Sequence, residues 1–455
     1  MSTPAGGKRR FYIETYGCQM NAYDSQVIEG VLEAAGHAKV ERPEDSDLIL
    51  LNTCSVREQA EQRVLGRINQ LAGLRRGRTE RLYLGVVGCM AQRLGPALFG
   101  PDASRSRVDF VVGPQQYKQL PRILAQVEAT PAPSADNYFT DFDQLVTYQA
   151  KPKHTPPGGT HFVAVMHGCD KFCSYCIVPF TRGRERSKDW RQIVAEVELL
   201  AARGAFEVTL LGQTISSYAD GGVDFAGLLA KVHAVPGIES IRFLTSYPTD
   251  MTPALFARIG ELPKVGTGIH LPFQSGSNRL LAAMNRRYRI EEYEAILAAG
   301  RAAVPDLLFS TDIIVGYPGE TEADFLATLA VVERQTFSAA FMFKYSPREG
   351  TLAWRRGGEE LPAAVKEERL ARLMARQDAQ TQAVLAVQLG RELEILLDEP
   401  SKKDETRLRG RTRNNLRVIV EGRPDLRIGT KLRVRPHAIA GTSLLAVPAD
   451  AAPGG

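Results

Sequence analysis

The stretch His161-Phe-Val-Ala-Val-Met-His-Gly-Cys-Asp-Lys-Phe-Cys-Ser-Tyr-Cys176 joins an apolar run, typical of a buried strand, to a loop that carries three thiols. Their spacing, C-x3-C-x2-C, lets one loop bind a common metal centre. Zinc is one candidate, but a closed zinc site needs a fourth protein ligand and only His167 is close in sequence. Three cysteines alone suit a four-iron, four-sulfur cluster with one open iron.

Strand and helix patterns alternate on the carboxyl side of this stretch. Six strand patterns separated by helical ones predict a parallel sheet that curls into a full or partial barrel, with its site at the carboxyl ends of the strands. A helix-rich segment follows, over residues 361–387. Short alternating runs between Gly and Pro turns then predict a small antiparallel β-barrel, a type of module that binds RNA through a basic face.

Three further cysteines, Cys18, Cys54 and Cys89, each follow a strand pattern and precede a helical one. In an open parallel sheet such turns lie at one edge, where ligands bind, so we expect the three thiols to converge. The alternative is three buried cysteines that act as small hydrophobic residues. The predicted fold class is therefore multidomain α/β, with an open N-terminal α/β sheet, a partial (β/α)6 barrel and a small C-terminal antiparallel β-barrel.

Length and composition agree with this division. The chain has 455 residues, 44% hydrophobic and 24% charged, and at about 150 residues per domain it is predicted to form about three domains. The predicted boundaries are 10–126 for the first domain, 127–159 for a Pro- and Ala-rich linker, 160–387 for the barrel with its trailing helices, 388–448 for the last module and 449–455 for a disordered tail.

The sequence also predicts the cellular compartment. No apolar run approaches the roughly 18 residues of a membrane span, and the N-terminal residues lack a signal-peptide pattern, so we expect a cytoplasmic protein with no membrane contact. In that reducing compartment the six cysteines are not expected to form structural disulfides.

Positive charge is concentrated near the carboxyl terminus. Residues 401–436 contain 12 basic and 4 acidic residues, a net charge of +8, whereas the whole chain carries +5. A basic module on a near-neutral body predicts a polyanion-binding surface, most simply for nucleic acid. The alternative is a solvated basic face.

The cysteine loop resembles the signature of radical S-adenosylmethionine (SAM) enzymes, and its combination with three earlier cysteines resembles the methylthiotransferase family. Nearly the whole chain fits that family's N-terminal domain, radical SAM core and C-terminal TRAM domain. Several fragments are similar to the tRNA-2-methylthio-N6-dimethylallyladenosine synthase branch of this family. They are Tyr12-Ile-Glu-Thr-Tyr-Gly-Cys-Gln-Met-Asn21, Leu51-Asn-Thr-Cys-Ser-Val-Arg-Glu58, Val87-Gly-Cys-Met-Ala-Gln92, Gly183-Arg-Glu-Arg186, Leu271-Pro-Phe-Gln-Ser-Gly-Ser277, Asp312-Ile-Ile-Val-Gly-Tyr-Pro-Gly-Glu-Thr321 and Gly410-Arg-Thr-Arg-Asn-Asn415.

The resemblance implies two 4Fe–4S clusters. The cluster that binds SAM at its open iron is held by Cys169, Cys173 and Cys176. The auxiliary cluster, which carries or delivers sulfur, is held by Cys18, Cys54 and Cys89. The implied reaction inserts sulfur and a methyl group at C-2 of N6-isopentenyladenosine at position 37 of tRNA and uses two SAM molecules. This carbon is not activated for acid–base chemistry, so the reaction needs a radical, which the cofactor supplies.

Other residues are candidates for cofactor and RNA contacts. Side chains in the cysteine loop and at barrel strand ends are predicted to bind the cofactor, with turn capping or packing as the alternative: Tyr175, Gln213, Ser246, Gln274 and Asp312. Basic and amide side chains are predicted to bind RNA, with ordinary surface charge as the alternative: Arg182, Arg184, Arg186, Arg411, Arg413, Asn414 and Asn415.

The implied partners are a tRNA that carries N6-isopentenyladenosine, an electron donor such as flavodoxin or ferredoxin, and a donor of sulfur or of iron–sulfur clusters. We expect a monomer. Two other functions are considered. One is a sister methylthiotransferase acting on threonylcarbamoyladenosine in tRNA or on a ribosomal protein, against which the contexts of Cys18 and Cys54 argue. The other is a zinc-containing RNA-binding protein without catalysis.

Overall fold

The N-terminal part of the chain forms a six-stranded parallel sheet with helices between its strands, as seen in the computed structural model. The strands are β1 (Arg10–Thr15), β2 (Ala38–Lys39), β3 (Leu48–Thr53), β4 (Tyr83–Gly88), β5 (Phe110–Val112) and β6 (Tyr138–Phe139). The helices are α1 (Gln19–Ala34), α2 (Glu58–Ala72), α3 (Cys89–Leu94) and α4 (Leu120–Glu128). The strand order is β2-β1-β3-β4-β5-β6, and all neighbours are parallel.

The structure describes residues 8–55, 58–100, 106–130, 133–134, 136–142, 159–401, 404 and 406–450, without the side chains of 58–60. These residues form two compact units. The first comprises residues up to 155 together with 167–170 and 177–186, and the second comprises 156–166, 171–176 and the remainder of the chain. Among the described helices, none is long and apolar enough to span a membrane.

The predicted linker over 127–159 begins later than expected. Helix α4 continues to Glu128, and β6 adds a sixth strand to the sheet. The backbone N–H of Val111 donates to the carbonyl of Asn137 at 2.9 Å, and that of Gly113 donates to Phe139 at 2.8 Å. Backbone hydrogen bonds thus override the irregular structure that the Pro- and Ala-rich composition predicts. The rest of the predicted linker, at 143–158, and the tail at 451–455 lie outside the described residues.

Strands and helices alternate from residue 160 to residue 386. The strands are β7 (Thr160–Ala164), β8 (Met166–His167), β9 (Arg186–Ser187), β10 (Glu207–Leu211), β11 (Ala219–Asp220), β12 (Val223–Asp224), β13 (Ser240–Phe243), β14 (Gly268–His270), β15 (Leu308–Val315) and β16 (Phe337–Lys344). The helices are α5 (Val178–Arg182), α6 (Trp190–Ala202), α7 (Phe225–His233), α8 (Pro253–Glu261), α9 (Asn278–Ala283), α10 (Ile290–Ala303), α11 (Glu322–Arg334), α12 (Leu352–Arg356) and α13 (Ala363–Ala386).

The long strands of this region make two three-stranded parallel sheets, β13-β10-β7 and β14-β15-β16. A parallel bridge between Ile241 and Val265 joins them, because the N–H of Ile241 donates to Lys264 and the N–H of Gly266 donates to Ile241, both at 2.8 Å. The six strands therefore form one curved sheet, which confirms the predicted partial (β/α)6 barrel.

One face of the curved sheet is apolar and the other is polar. Ile269, Phe309 and Ile313 are fully buried against helices α8, α10 and α11. Along β15, buried side chains alternate with half-buried ones. His270, Ser310 and Asp312 therefore lie on the opposite, concave face.

The last module is a closed five-stranded barrel, as its alternating pattern predicts. Its strands are β17 (Leu393–Pro400), β18 (Arg407–Thr412), β19 (Arg417–Glu421), β20 (Lys431–Ala440) and β21 (Ser443–Pro448), in the order β17-β18-β19-β21-β20. Its core includes Ile395, Val418 and Leu444, together with Val384 and Leu385 near the end of α13. The sequence analysis missed β18 because arginine occupies every second position of this strand.

Candidate functional site

The three N-terminal cysteines lie at one edge of the first sheet. Cys18, Cys54 and Cys89 come directly or within three residues after β1, β3 and β4. These strands are neighbours, and Thr53 at the end of β3 pairs with Gly88 at the end of β4. The three strand-to-helix turns therefore meet where the strand pattern predicts.

A glycine allows the first two turns to approach closely. Gly17 has a φ of +126°, and a Cβ at this position would lie 2.4 Å from the Cβ of Cys54. Any other residue would clash with the Cβ of Cys54 and would also hold a strained backbone conformation. The turn that presents Cys18 thus lies against Cys54 because residue 17 has no side chain.

Buried amide side chains connect the same turns. Asn21 donates to the Oδ1 of Asn52 at 3.2 Å and to the carbonyl of Thr53 at 3.1 Å. Asn52 donates to the carbonyl of Asn21 at 2.8 Å and to Ser25 Oγ at 2.9 Å. The thiol of Cys18 donates to Asn21 Oδ1 at 3.3 Å. The sequence analysis quoted both asparagines within motifs but assigned them no role; their adjacency to cysteines at strand ends was the available signal.

The thiols have unequal acidities. A hydrogen bond with Cys54 lowers the pKa of Cys18 to about 6, and the positive charge of Arg182 acts in the same direction. Burial raises the pKa of Cys89, although Arg182 opposes this effect. The lowered pKa of Cys18 favours its thiolate, which is the form that binds metal.

Arg182 is buried in the N-terminal unit, which corrects the prediction that it contacts RNA. Its guanidinium donates to Asp24 at 2.7 Å, and the two side chains are only 5% and 1% exposed. Its backbone carbonyl accepts a hydrogen bond from Gln115 at 2.9 Å. Burial raises the pKa of Asp24, and the charge of Arg182 opposes that increase. A phosphate cannot reach this guanidinium, so its charge acts on the thiols and on Asp24.

The other two arginines of this segment differ from Arg182 in exposure. Arg184 is 74% exposed and pairs with Asp170 at 2.7 Å. Arg186 is half-buried and donates to Gln115 at 3.0 Å. Of the three predicted RNA contacts in this segment, Arg184 is the one most open to solvent.

The sulfur ligands fit iron–sulfur chemistry. All six cysteines are free thiols, arranged as two sets of three, and protein iron–sulfur clusters are held by cysteine thiolates. Within the described residues, no three His, Cys, Asp or Glu side chains have the spacing that a single metal ion needs. The donor type and number suit two clusters, each with one iron not bound by cysteine.

The second and third thiols of the C-x3-C-x2-C loop are held by the turn that follows α9. The N–H of Ser174 donates to the carbonyl of Met284 at 2.9 Å, and its hydroxyl lies 2.8 Å from Tyr317 Oη. Asn285 donates to the carbonyl of Phe172 at 2.8 Å. Phe172 has a left-handed φ of 48°, which is uncommon for a bulky residue and is associated with functional loops.

Cys169, the first thiol of the loop, is held by a separate contact in the N-terminal unit. Its N–H donates to the carbonyl of Gly183 at 3.2 Å. The preceding Gly168 has a φ of +76°, and a Cβ there would lie 2.0 Å from the carbonyl oxygen of Arg184. Only glycine permits this close approach of the two backbones.

Two predicted cofactor residues carry buried polar atoms without a protein partner. Gln213 follows β10 and Ser246 follows β13, both at carboxyl ends of the curved sheet. Gln213 Oε1 and Ser246 Oγ are buried, and neither has a hydrogen-bond partner in the described part of the chain. Such unsatisfied atoms are costly and normally bind a ligand or water. They therefore fit a polar ligand at this end of the sheet.

Asp312 and Gln274 belong to the β14-β15-β16 half of the curved sheet, Asp312 within β15 and Gln274 after β14. Gln274 is buried with a left-handed φ of 69°, and its N–H donates to the carbonyl of Asp312 at 2.9 Å. Asp312 lies 3.3 Å from His270 Nε2 on the concave face. Phe341, 53% exposed, contacts the His270 ring edge to face. The sequence analysis missed His270 and Phe341, although their alternation with buried neighbours was a usable signal.

Tyr175 lies between two thiols in sequence, but its ring packs in a small apolar cluster. That cluster contains Leu280, Met284, Tyr317 and Tyr345. Burial raises the pKa of Tyr175 well above its usual value. These contacts match the alternative of packing within the loop.

Arg411 and Arg413, two of the predicted RNA contacts of the last module, instead bind groups of the curved sheet and of helix α8, which corrects their assignment. Arg411 pairs with Asp398 at 2.5 Å and with Glu207 at 3.3 Å. Arg413 donates to the carbonyls of Val265 and Ile259 at 2.9 and 3.0 Å.

The two following amides complete this junction. Asn414 donates to the carbonyl of Asp306 at 3.1 Å, and the Oδ1 of Asn415 accepts from Arg242 at 3.2 Å. The physical reason is that the turn after β18 covers the carbonyl groups at the end of α8, which need donors.

Other basic side chains of the barrel remain exposed. They are Arg417, Arg427, Lys431, Arg433 and Arg435. Lys431 pairs with Glu239 at 2.9 Å and Arg433 with Glu392 at 3.2 Å. Arg417 and Arg435 have no ion pair among the described residues. The basic surface suggested by the charge count therefore lies elsewhere on the barrel than at 411–415.

Comparison with known proteins adds independent information. The profile of an uncharacterized protein family, UPF0004, matches residues 10–113, and that of the Radical SAM superfamily matches residues 163–332. A tRNA-2-methylthio-N(6)-dimethylallyladenosine synthase from Moorella thermoacetica is 42% identical, with 94% of this chain and 96% of that protein covered. A protein of the same name from Thiobacillus denitrificans is 41% identical, with 96% and 98% covered.

Solved structures agree on the fold. The radical S-adenosylmethionine methyltransferase TsrM from Kitasatospora setae matches with a TM-score of 0.57 and 14% identity, covering 81% of this chain and 91% of that one. The cobalamin-dependent radical enzyme OxsB matches with a TM-score of 0.51 and 12% identity, covering 81% and 56%. At these identities the likeness concerns the architecture alone.

Proposed function

The chain belongs to the tRNA-2-methylthio-N(6)-dimethylallyladenosine synthases, and we propose that it inserts sulfur and a methyl group at C-2 of N6-isopentenyladenosine at position 37 of tRNA. The product is 2-methylthio-N6-isopentenyladenosine, and two SAM molecules are used. The observation that carries this proposal is the convergence of Cys18, Cys54 and Cys89 in a chain that also has the C-x3-C-x2-C loop. The relatives' names do not favour the sister reactions or a zinc-containing RNA-binding protein.

We assign the two 4Fe–4S clusters to the two sets of thiols. The SAM-binding cluster would be held by Cys169, Cys173 and Cys176. The auxiliary cluster would be held by Cys18, Cys54 and Cys89. When bound, these groups supply the one-electron chemistry and the sulfur that replacement of an unactivated hydrogen requires. The chain's part is to orient the ligands, to keep the thiols ionised and to bind the substrates.

For the cofactor, the proposal gives separate roles to the strand-end residues. The unpartnered Oε1 of Gln213 and Oγ of Ser246 would bind polar groups of SAM. Gln274 and Asp312, on the other half of the sheet, remain proposed contacts of the cofactor or of the substrate adenine. Tyr175 would support the loop through packing and not through stacking on SAM.

For the tRNA, we propose contacts at exposed cations. Arg417 and Arg435 on the barrel and Arg184 beside the cysteine loop are the best placed. Arg186 remains a secondary candidate because it is half-buried. Such contacts to phosphate set affinity and register without reading the base.

The remaining assignments follow from this function. The three predicted domains would carry sulfur supply, SAM chemistry and RNA binding in that order, with the first extended to Phe139. A low-potential donor such as flavodoxin or ferredoxin would reduce the clusters, and a sulfur or iron–sulfur donor would restore the auxiliary one. A monomer acting in the cytoplasm, where tRNA is modified, fits these partners.

The test is a reaction with defined tRNA under anaerobic conditions. Protein reconstituted with iron and sulfide is incubated with SAM, a reductant and tRNA that carries N6-isopentenyladenosine, and nucleosides are analysed by mass spectrometry. We expect 2-methylthio-N6-isopentenyladenosine, and none with tRNA that lacks the isopentenyl group. Cys173→Ala should abolish 5′-deoxyadenosine formation, whereas Cys54→Ala should retain it and lose sulfur insertion. Methylthiolation of threonylcarbamoyladenosine instead would contradict the proposal.

A further inference from the structure

Arg286 lies beside a thiol of the C-x3-C-x2-C loop. Its Nη1 is 3.6 Å from the Sγ of Cys173, hydrogen-bond length for a sulfur acceptor. The side chain is almost fully buried, with 8% of the residue exposed.

The guanidinium is fixed on its other sides by neutral groups. Nη2 donates to the carbonyl of Pro272 at 2.6 Å, and Nε donates to the hydroxyl of Tyr288 at 3.0 Å. The rings of Tyr247 and Tyr288 lie 4.5 and 5.1 Å from its central carbon. Nη1, the third nitrogen of the guanidinium, points to Cys173.

No carboxylate in the described part of the chain forms an ion pair with Arg286. A buried charge without an opposite charge costs several kcal/mol, and proteins rarely retain one. The side chain that Nη1 contacts is Cys173, and a cysteine that ligates a cluster does so through a negatively charged sulfur. A cluster held by Cys173 would therefore place an opposite charge beside this guanidinium.

The turn that carries Arg286 supports the same loop by other contacts. Asn285, the residue before Arg286, adopts a left-handed φ of 56° and donates to the carbonyl of Phe172, the residue before Cys173. The next residue, Arg287, is exposed, so the two adjacent arginines differ in environment. This pair supplies a matched control.

We propose that Arg286 is a positioning residue that raises the reduction potential of the cluster held by the C-x3-C-x2-C loop. This inference rests on the proposed function, because it needs a cluster on Cys173. Net charge and hydrogen bonds to the sulfurs set the potential of iron–sulfur clusters, and a cluster that accepts one electron gains one negative charge. A fixed cation at a ligand sulfur stabilises the reduced form more than the oxidised form.

The test is a redox titration of the reconstituted full-length chain, followed by electron paramagnetic resonance. To observe one cluster, all variants carry Cys18→Ala, Cys54→Ala and Cys89→Ala. Arg286→Gln removes the charge and should lower the ratio of reduced to oxidised cluster at a fixed potential about tenfold, which equals 59 mV for one electron. Arg286→Lys, which keeps the charge, should change this ratio less than threefold, and Arg287→Gln should not change it.

Two outcomes would overturn the inference. One is an Arg286→Gln cluster with unchanged potential, and the other is an Arg286→Lys shift as large as tenfold, which would assign the effect to packing. If Arg286→Gln fails to bind iron, the neutral variant Arg286→Met replaces it in the same comparison with Arg286→Lys. Failure of the unmodified loop to bind a cluster would instead contradict the proposed function.

A second readout uses the intact six-cysteine chain. Formation of 5′-deoxyadenosine by Arg286→Gln should fall with a weak reductant and recover with a reductant of lower potential. A loss that no reductant restores would show that Arg286 supports only the fold of the loop.

Discussion

The guanidinium of Arg182 donates to the carboxylate of Asp24 at 2.7 Å, although the two residues are 158 positions apart in sequence. Arg182 belongs to the segment that follows the C-x3-C-x2-C loop. Asp24 lies in α1, the helix that begins directly after Cys18. Both side chains are buried, and the charge of Arg182 lowers the pKa of Cys18 and opposes the increase that burial causes in the pKa of Cys89. Arg182 therefore links the segment after the C-x3-C-x2-C loop to the three N-terminal thiols within the N-terminal unit.

Removal of that cation should destabilise the N-terminal unit. Arg182→Gln leaves Asp24 buried without its partner, and such a change costs about 3–5 kcal/mol. Urea unfolding should show this loss, and the iron bound at the N-terminal thiols should fall with it. Arg184→Gln removes an exposed cation two residues away and should change the stability by less than about 1 kcal/mol. The double variant Arg182→Gln with Asp24→Asn should recover part of the loss, and strict additivity would contradict a direct pair.

The junction between the curved sheet and the C-terminal barrel should be sensitive to acid. Burial raises the pKa of Glu207, but the charges of Arg242 and Arg411 lower it by more. Its pKa is therefore below the usual value. The carboxylate then contributes stability that is complete above its unfolded pKa and is lost as the pH falls through its lower folded pKa. At pH 7 Glu207→Gln should lower the free energy of unfolding by about 3 kcal/mol. The difference in free energy of unfolding between the variant and the unmodified chain should become smaller in acid. Equal pH profiles for both proteins would contradict this role.

Binding of tRNA should depend on exposed arginines and not on the junction. Replacing Arg417 and Arg435 by Gln should weaken affinity and reduce the slope of log K against log salt by about 2, one unit for each phosphate contact. Arg413→Gln should leave this slope unchanged but lower the thermal midpoint, because it frees the carbonyls of Val265 and Ile259. If Arg413→Gln reduced the salt slope and left the thermal midpoint unchanged, Arg413 would be an RNA contact, as the sequence analysis predicts.

The affinity for SAM should depend on the hydroxyl of Ser246. Its hydroxyl has no partner in the described residues, so Ser246→Ala should not reduce the stability of the ligand-free protein. It should weaken SAM binding about twofold to tenfold, the contribution of one neutral hydrogen bond, as measured by anaerobic calorimetry. Ser240→Ala is the matched control, because Ser240 already donates to Glu207 at 2.7 Å. It should lower stability and leave SAM affinity unchanged.

The sequence could predict those features that depend on local periodicity. Strand β15, Leu308–Val315, is one of the six strands that the alternating patterns predict, and the three cysteine turns follow strands as expected. The tertiary contacts of individual side chains could not be predicted in the same way. Arg182 and Arg413 look like solvated cations in sequence, and their partners lie far away along the chain. Strand β6 was missed because two residues in a Pro-rich segment show no periodicity.

The bonds of Arg413 and Asn414 to the curved sheet have a consequence for substrate selection. The C-terminal barrel is fastened at several points to the curved sheet that carries the concave face. Under the proposed function, the span between a phosphate bound on the barrel and an adenine bound at Gln274 and Asp312 would therefore be set by the protein. An RNA would satisfy both contacts only if its target adenine lay at the matching distance along the folded strand, so the junction would measure the position of that adenine.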